Sequence, residues 1–308
     1  MIKVSGLTRY YGTHVALENV NLEIDKNIIV GFLGLNGAGK STLLKMIAHV
    51  LPPTAGEVII DGKNLWEGES SNSKIGYLPE EPALYRDMRV NDFLRWCAQI
   101  RGMSKNEADQ TLPDIIKMCD LKGKEDSVIS TLSHGYKKRV GIAQAIVHKP
   151  SILLLDEPIS GLDPIQIVEM RKLLRRLKSQ CTLLISSHIL TEISQVCDRI
   201  LVIKEGKIVA DGSEEEIGRR QYRLEIVVGE DSNGIKEEID NLDLVDSFTI
   251  ISTSQYLIIL KEDRPEEVIK TLVNKGVLVR TLSLDKSELE RTFAKLVDTP
   301  DASDKENS

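Results

Sequence analysis

Residues 34–42 read Gly34-Leu35-Asn36-Gly37-Ala38-Gly39-Lys40-Ser41-Thr42, and few folds accommodate such a run. Before it, Ile28-Ile29-Val30-Gly31-Phe32-Leu33 is continuously apolar, as in a strand buried on both faces. After it, Leu43-Leu44-Lys45-Met46-Ile47 spaces its apolar residues as a helix does. Strand, glycine-rich loop and helix is the setting of a phosphate-binding loop. The glycines let backbone N–H groups curl around a phosphate, and the helix start adds the positive end of its dipole. Lys40 is placed to reach the β- and γ-phosphates and the Ser41 hydroxyl to ligate Mg²⁺. A plain glycine turn matches this spacing by chance in about one chain in 100 of this length, and less often with that strand and helix beside it. Nucleotide binding is therefore expected, with Gly34, Asn36, Gly37, Ala38, Gly39, Lys40, Ser41 and Thr42 as its candidate residues.

The chain has 308 residues, enough for two domains with cores, and its 41% apolar and 28% charged content are those of a globular protein. A net charge of −7 argues against nucleic acid as the main partner. Cys97, Cys119, Cys181 and Cys197 show no close metal-ligand or redox spacing, so they are expected as buried small apolar residues in a reducing compartment. No stretch approaches the roughly 18 consecutive apolar residues of a membrane span. Met1-Ile2-Lys3-Val4-Ser5-Gly6 opens on a strand pattern without a secretion signal. The expectation is a cytosolic protein, for which another chain would supply any membrane-spanning part.

Strand and helix signals alternate through 1–216, which predicts an α/β domain. Apolar runs at 28–33, 75–78, 151–155, 181–186 and 199–203 predict strands, several continuous enough to be buried on both faces. Between about 88 and 148 the spacing turns helical, a helical insertion interrupting the sheet. Beyond 217 the order changes: strands over 222–228, 245–251, 256–260 and 277–284, a short helix over 235–242, and a helix capped by Asp263 with Pro265 in its first turn. That βαββαβ order predicts a small α+β domain of ferredoxin-like type over 217–297. It would end in an amphipathic helix through Leu289, Phe293 and Leu296, before a polar, disordered tail at 298–308.

Three further segments carry chemistry. Ser151-Ile152-Leu153-Leu154-Leu155-Asp156-Glu157-Pro158 delivers two carboxylates at the carboxyl end of a buried strand, where ligands gather in open α/β sheets. Asp156 suits Mg²⁺ and Glu157 suits a general base for an attacking water. Glu80 follows the run 75–78, and His188 follows 181–186. With the phosphate loop, these are four polar groups after four strands, and a parallel sheet brings them to one edge around one nucleotide. Leu132-Ser133-His134-Gly135-Tyr136 opens a helix at an N-cap serine, a second start able to hold a phosphate. The Lys137-Lys138-Arg139 run that follows reads as a solvated face.

As a set, these motifs resemble the ATP-binding subunit of an ABC transporter over residues 2–216. The resemblance implies a P-loop NTPase of ABC ATPase type, with ATP and Mg²⁺ as cofactors. It assigns Tyr11 to stacking on adenine, Gly34–Thr42 to Walker A and Ser151–Glu157 to Walker B. Ser133 and Gly135 fall in a signature that caps the γ-phosphate of ATP held by a second subunit. Asp163, in Ser160-Gly161-Leu162-Asp163, falls in the D-loop, and His188 is the switch histidine. Catalysis then falls to Glu157, His188 and Glu80, and the metal to Ser41, Glu80 and Asp156. Two residues depart from the family's Leu-Ser-Gly-Gly-Gln, His134 and Tyr136, and Glu80 stands where Gln is usual.

Within that family, the Leu-Ser-x-Gly-Tyr signature, the Gly-Tyr-Leu-Pro-Glu segment and the closing Leu289-Glu290-Arg291-Thr292-Phe293 are similar to the ATPases of type-2 exporters, the drug-resistance and gliding-motility-like systems. This implies a homodimer in the ATP-bound state, a separate integral membrane permease as partner, and a peripheral place at the inner face of the cell membrane. The C-terminal domain would regulate or dimerise. A soluble ABC ATPase acting on ribosomes, DNA or assembly machinery is the alternative, but ribosome-acting members usually carry two cassettes and DNA-repair members a long coiled coil, and neither pattern is present. A regulator that binds nucleotide without turnover would need neither Glu157 nor His188.

Overall fold

A computed structural model describes residues 1–67, 74–217, 222–228, 236, 239, 242–252, 254–261 and 264–285. The chain divides into two compact units, Met1–Glu214 and Glu215–Lys295, each with an apolar core of its own.

In the first unit, β1 (Ile2–Tyr11) and β2 (His14–Ile24) form an antiparallel hairpin, and β3 (Ile29–Leu33) leaves it for a second sheet. β4 (Ala55–Ile60) pairs with the other edge of β1 and with the two-residue β5 (Lys63–Asn64). This antiparallel sheet lay beyond the sequence reading, in which only β1 was marked. Its strands mix apolar and charged residues and bury one face, so they lack the continuous runs that mark the other sheet.

The second sheet adds β6 (Ile75–Leu78), β7 (Ile152–Asp156), β8 (Thr182–Ser187), β9 (Arg199–Lys204) and β10 (Lys207–Gly212), in the order β10-β9-β3-β8-β7-β6. All neighbours are parallel except β10, which closes one edge antiparallel to β9. β3, β7 and β8 are buried at every position. The core between the sheets joins Ile2, Leu17 and Ile24 to Phe32, Leu154 and Leu184, with Leu43 and Leu44 from α1 (Lys40–Ile47).

The helical insertion falls between β6 and β7: α2 (Val90–Ile100), α3 (Lys105–Met118) and α4 (His134–Ile146). Ser104 and Glu107 form a capping box at the start of α3. α5 (Pro164–Leu177) and the short α6 (Leu190–Ser194) follow β7 and β8. The four cysteines are free thiols, three of them buried and Cys197 half-buried.

The run Lys137-Lys138-Arg139 corrects the sequence reading. Lys138 is 2% and Arg139 5% exposed, and neither lies on a solvated face. Each finds oxygen partners inside the protein: Lys138 two backbone carbonyls, and Arg139 the carboxylates of Asp120 and Glu169. Spacing alone does not reveal partners that come from other elements.

The second unit is one antiparallel sheet of β11 (Tyr222–Val228), β12 (Val245–Ser252), β13 (Gln255–Leu260) and β14 (Val279–Asp285) in the order β12-β13-β11-β14. A helix, Pro265–Asn274, joins the last two strands and buries Val268 and Leu272 on the sheet. Arg264 stands at its N-cap position, and Asp263, the expected cap, lies outside the described residues. The expected helix over 235–242 lies largely outside the described residues, and the terminal helix with Leu289, Phe293 and Leu296 and the tail 298–308 lie wholly outside them. Among the described residues no helix is long and apolar enough to cross a membrane.

Candidate functional site

The parallel sheet sends the ends of β3, β6, β7 and β8 to one edge, and a cavity of about 410 Å³ opens there. It is lined by Asn36, Gly37, Gly39, Lys40, Ser41 and Thr42 after β3, by Glu80 after β6, Glu157 after β7 and His188 after β8, and by Tyr11, His14 and Ala16 of the β1–β2 hairpin.

Packing fixes the loop after β3. At Gly34 a Cβ would stand 2.3 Å from the Ile203 carbonyl oxygen of β9, and at Gly39, with φ +108°, 2.6 Å from that of Ala16. These two glycines let the loop pass between the two sheets. Gly34 and Ala38 belong to the loop without lining the cavity. Lys40 is 5% exposed, its ammonium donating to the carbonyls of Gly34 at 2.8 Å and Leu35 at 3.1 Å. Burial lowers its pKa, opposed by the carboxylates of Glu157, Asp156 and Glu80.

Ser41 at the start of α1 donates its hydroxyl to Asp156 Oδ1 at 2.9 Å, and Ser186 of β8 donates to the same oxygen at 2.5 Å. Two hard oxygen donors, a hydroxyl and a carboxyl, thus stand together beside the phosphate loop. Mg²⁺ takes few protein oxygens and completes its shell with phosphate and water, so Ser41 and Asp156 fit it as ligands, with Glu80 on the same cavity.

Glu157 is 6% exposed. Its carboxylate meets His188 Nδ1 at 3.1 and 3.2 Å and Lys40 Nζ at 3.8 Å. Burial raises the pKa of this carboxyl, against the lowering by His188 and Lys40. A stronger base at the mouth of a phosphate site is what activation of water requires. Its backbone lies in the left-handed region at φ +47°, uncommon for a residue with a side chain, and its N–H donates to Ser186 Oγ at 2.9 Å. Tyr11 is 46% exposed, and the Arg9 guanidinium sits 5.0 Å from its ring centre.

Three of the expected residues lie apart from this cavity. Ser133 is the N-cap of α4, accepting the Tyr136 N–H at 3.5 Å. Gly135 faces α5 so closely that a Cβ would meet Gln166 Oε1 at 2.5 Å. Asp163 caps α5, accepting the Gln166 N–H at 2.9 Å. His134 lines a second cavity of about 260 Å³ with Glu80, Glu81, Lys137 and Lys138. The sequence reading missed His14 and Ala16, which only the β1–β2 hairpin places here. It also missed Ser186, although it sits at the end of a predicted strand two residues before His188.

The chain matches the family model described as ABC transporter over residues 17–160. It is 33% identical over 300 residues to the uncharacterized ABC transporter ATP-binding protein YxlF of Bacillus subtilis, covering 96% of this chain and 99% of that one. It is 31% identical over 301 residues to the bacitracin transport ATP-binding protein BcrA of Bacillus licheniformis, covering 96% and 97%. Among solved structures, the dimeric post-hydrolysis state of the ATP-binding cassette MJ0796, bound to ADP and Pi, superposes with a TM-score of 0.63 at 27% identity, covering 69% of this chain and 98% of that one.

Proposed function

The chain belongs to the ATP-binding proteins of ABC transporters, and we propose that it powers an exporter by closing in pairs around ATP against a separate membrane permease. The observation that carries the reading is the meeting of Lys40, Ser41, Glu157 and His188 in one cavity, with Asp156 bonded to Ser41 just behind its lining. ATP lies with its phosphates over the loop Asn36–Thr42, where Lys40 turns from its loop carbonyls to the β- and γ-phosphates, and with its base against Tyr11. Ser41 and Asp156 would hold Mg²⁺, with Glu80 facing them, and the ion would supply positive charge to the phosphates. Glu157 takes the proton of the attacking water, and His188 orients that carboxylate and senses the γ-phosphate.

Ser133 and Gly135 stand outside the cavity of their own chain. This supports the sandwich in which each copy's signature covers the ATP of the other, with Asp163 at the seam. The solved cassette that is dimeric with ADP and Pi supports the same arrangement. Likeness over nearly the whole chain to a bacitracin transport protein, with the Leu-Ser-x-Gly-Tyr signature, favours the exporter branch. The chain then works at the inner face of the cell membrane, and its second unit regulates or dimerises.

The test is Glu157→Gln. Loss of a general base costs about 10²–10⁴-fold in rate and leaves the phosphate cradle intact, so this variant binds ATP, turns it over very slowly and accumulates as a dimer in size-exclusion with Mg-ATP. A monomer with near-normal turnover refutes the reading.

A further inference from the structure

Lys138 lies inside the first unit with its ammonium between two backbone carbonyls from separate loops, Glu80 O at 2.7 Å and Glu157 O at 3.0 Å. A buried ammonium is costly unless its donors are used, and here they join the loop after β6 to the loop after β7. Both backbone polar groups of Glu157 are therefore held by side chains, the N–H by Ser186 and the C=O by Lys138. Left-handed backbone of this kind persists where surrounding groups over-determine it. The helix that carries Lys138 is anchored at the next residue, where Arg139 reaches Asp120 at 2.8 Å and Glu169 at 2.7 Å. Ser133, which begins this helix, stands less than two turns before Lys138. A shift of α4 against the sheet therefore moves the ammonium that holds the Glu157 carbonyl.

We propose that Lys138 is a positioning residue for ATP hydrolysis, holding the Glu80 and Glu157 carbonyls against the signature helix and so setting where the Glu157 carboxylate stands. The proposal rests on Glu157 being the general base. It makes the engagement of α4 by a second copy a mechanical input to the base, and it gives the Glu80 loop the same input.

The experiment compares full-length Lys138→Met, which keeps length and loses the donors, with Lys138→Arg, which keeps donors. Steady-state Mg-ATP turnover, equilibrium ATP binding and thermal midpoint are measured for each. A misplacement of about 1 Å costs about 100-fold in rate, so Lys138→Met lowers kcat by about that factor while ATP affinity stays within about threefold. Lys138→Arg recovers most of the rate. Normal kcat in Lys138→Met overturns the proposal. So does a folded Lys138→Arg as inactive as Lys138→Met, or a loss of ATP affinity in parallel with kcat, since each marks a structural role only. If Lys138→Met does not fold, Lys138→Gln replaces it, too short to hold both carbonyls, and wild-type kcat there is equally fatal. Glu157→Gln run alongside separates the two readings. If it turns over ATP normally, the general base falls and the proposal with it; if it is inactive and Lys138→Met is normal, only the proposal falls.

Discussion

Two helices of the first unit begin in a manner suited to phosphate, and the fold treats them differently. α1 follows β3 directly, so its start opens into the cavity with Lys40, Ser41 and Thr42, beside carboxylates that β7 delivers to the same edge. α4 belongs to the insertion between β6 and β7, and its start does not line that cavity: Ser133 caps its own helix and Gly135 packs on Gln166 of α5. A parallel sheet gathers whatever follows its strands, while an inserted helix is gathered only where its own packing places it. On the proposed reading one chain carries both halves of a phosphate site at separate places, the arrangement expected of a protein that completes its site with a second copy.

The largest test of that division uses two damaged copies. Lys40→Ala removes a charge-assisted contact worth about 1.5–3 kcal/mol, and so weakens ATP binding by at least about tenfold. Ser133→Asp keeps a good N-cap but sets a carboxylate where phosphate oxygens would approach. Each variant alone should lose nearly all turnover, and Ser133→Asp should keep the ATP affinity of the isolated chain. Mixed together, they form a pair in which one site has an intact loop from one copy and an intact signature from the other, and turnover returns. If mixing restores nothing while each variant still pairs, or if Ser133→Asp loses ATP affinity as a monomer, the two helix starts are not divided between copies.

A smaller effect separates the two carboxylates of the cavity. Glu157 is buried against His188 and Lys40, while Glu80 is exposed and meets the rest of the site through its backbone carbonyl on Lys138. In the proposed mechanism, replacement of Glu157 by Gln removes the base. In Glu80→Gln an amide oxygen replaces a carboxylate oxygen toward Mg²⁺, so turnover should stay within about tenfold of wild type. Complete loss of hydrolysis in Glu80→Gln would give it proton chemistry and erase the distinction.

The parts of this site legible from pattern alone are those that follow the apolar strands of the parallel sheet, while Tyr11 on the hairpin is reached only through the family resemblance. Ile28–Leu33, Ile152–Leu155 and Leu183–Ile185 are continuous apolar runs, and the polar residues just beyond them lie where the sheet edge puts them. The hairpin that brings His14 and Ala16 to the cavity gave no such signal, because β1 and β2 bury one face and carry charges on the other. Lys138 and Arg139 were misread for a related reason. Three consecutive cations predict a wet surface, and what makes them internal is a pair of carbonyls and a pair of carboxylates far away in sequence. Asp163 was legible as a motif residue, but its observed work is to cap α5, which its position before Pro164 also suggests.

The smallest expected effect concerns the second unit. Its core, from Leu224 and Ile226 to Val268 and Leu272, is built from its own strands and helix, and every residue that lines the cavity lies between Tyr11 and His188. Binding of ATP by the first unit should therefore need nothing from residues 218–308. A chain ending at Ile217 should bind Mg-ATP with an affinity within about threefold of the full chain, a difference of less than 1 kcal/mol. What should change is self-association or the coupling to transport, read by sedimentation with and without ATP. The contrast with Lys40→Ala is the point of the measurement, since that single residue should cost more affinity than the removal of the whole second unit. A truncated chain that stays folded by circular dichroism yet no longer binds ATP would show that the phosphate loop depends on the second unit, and would undo the division of the chain at that boundary.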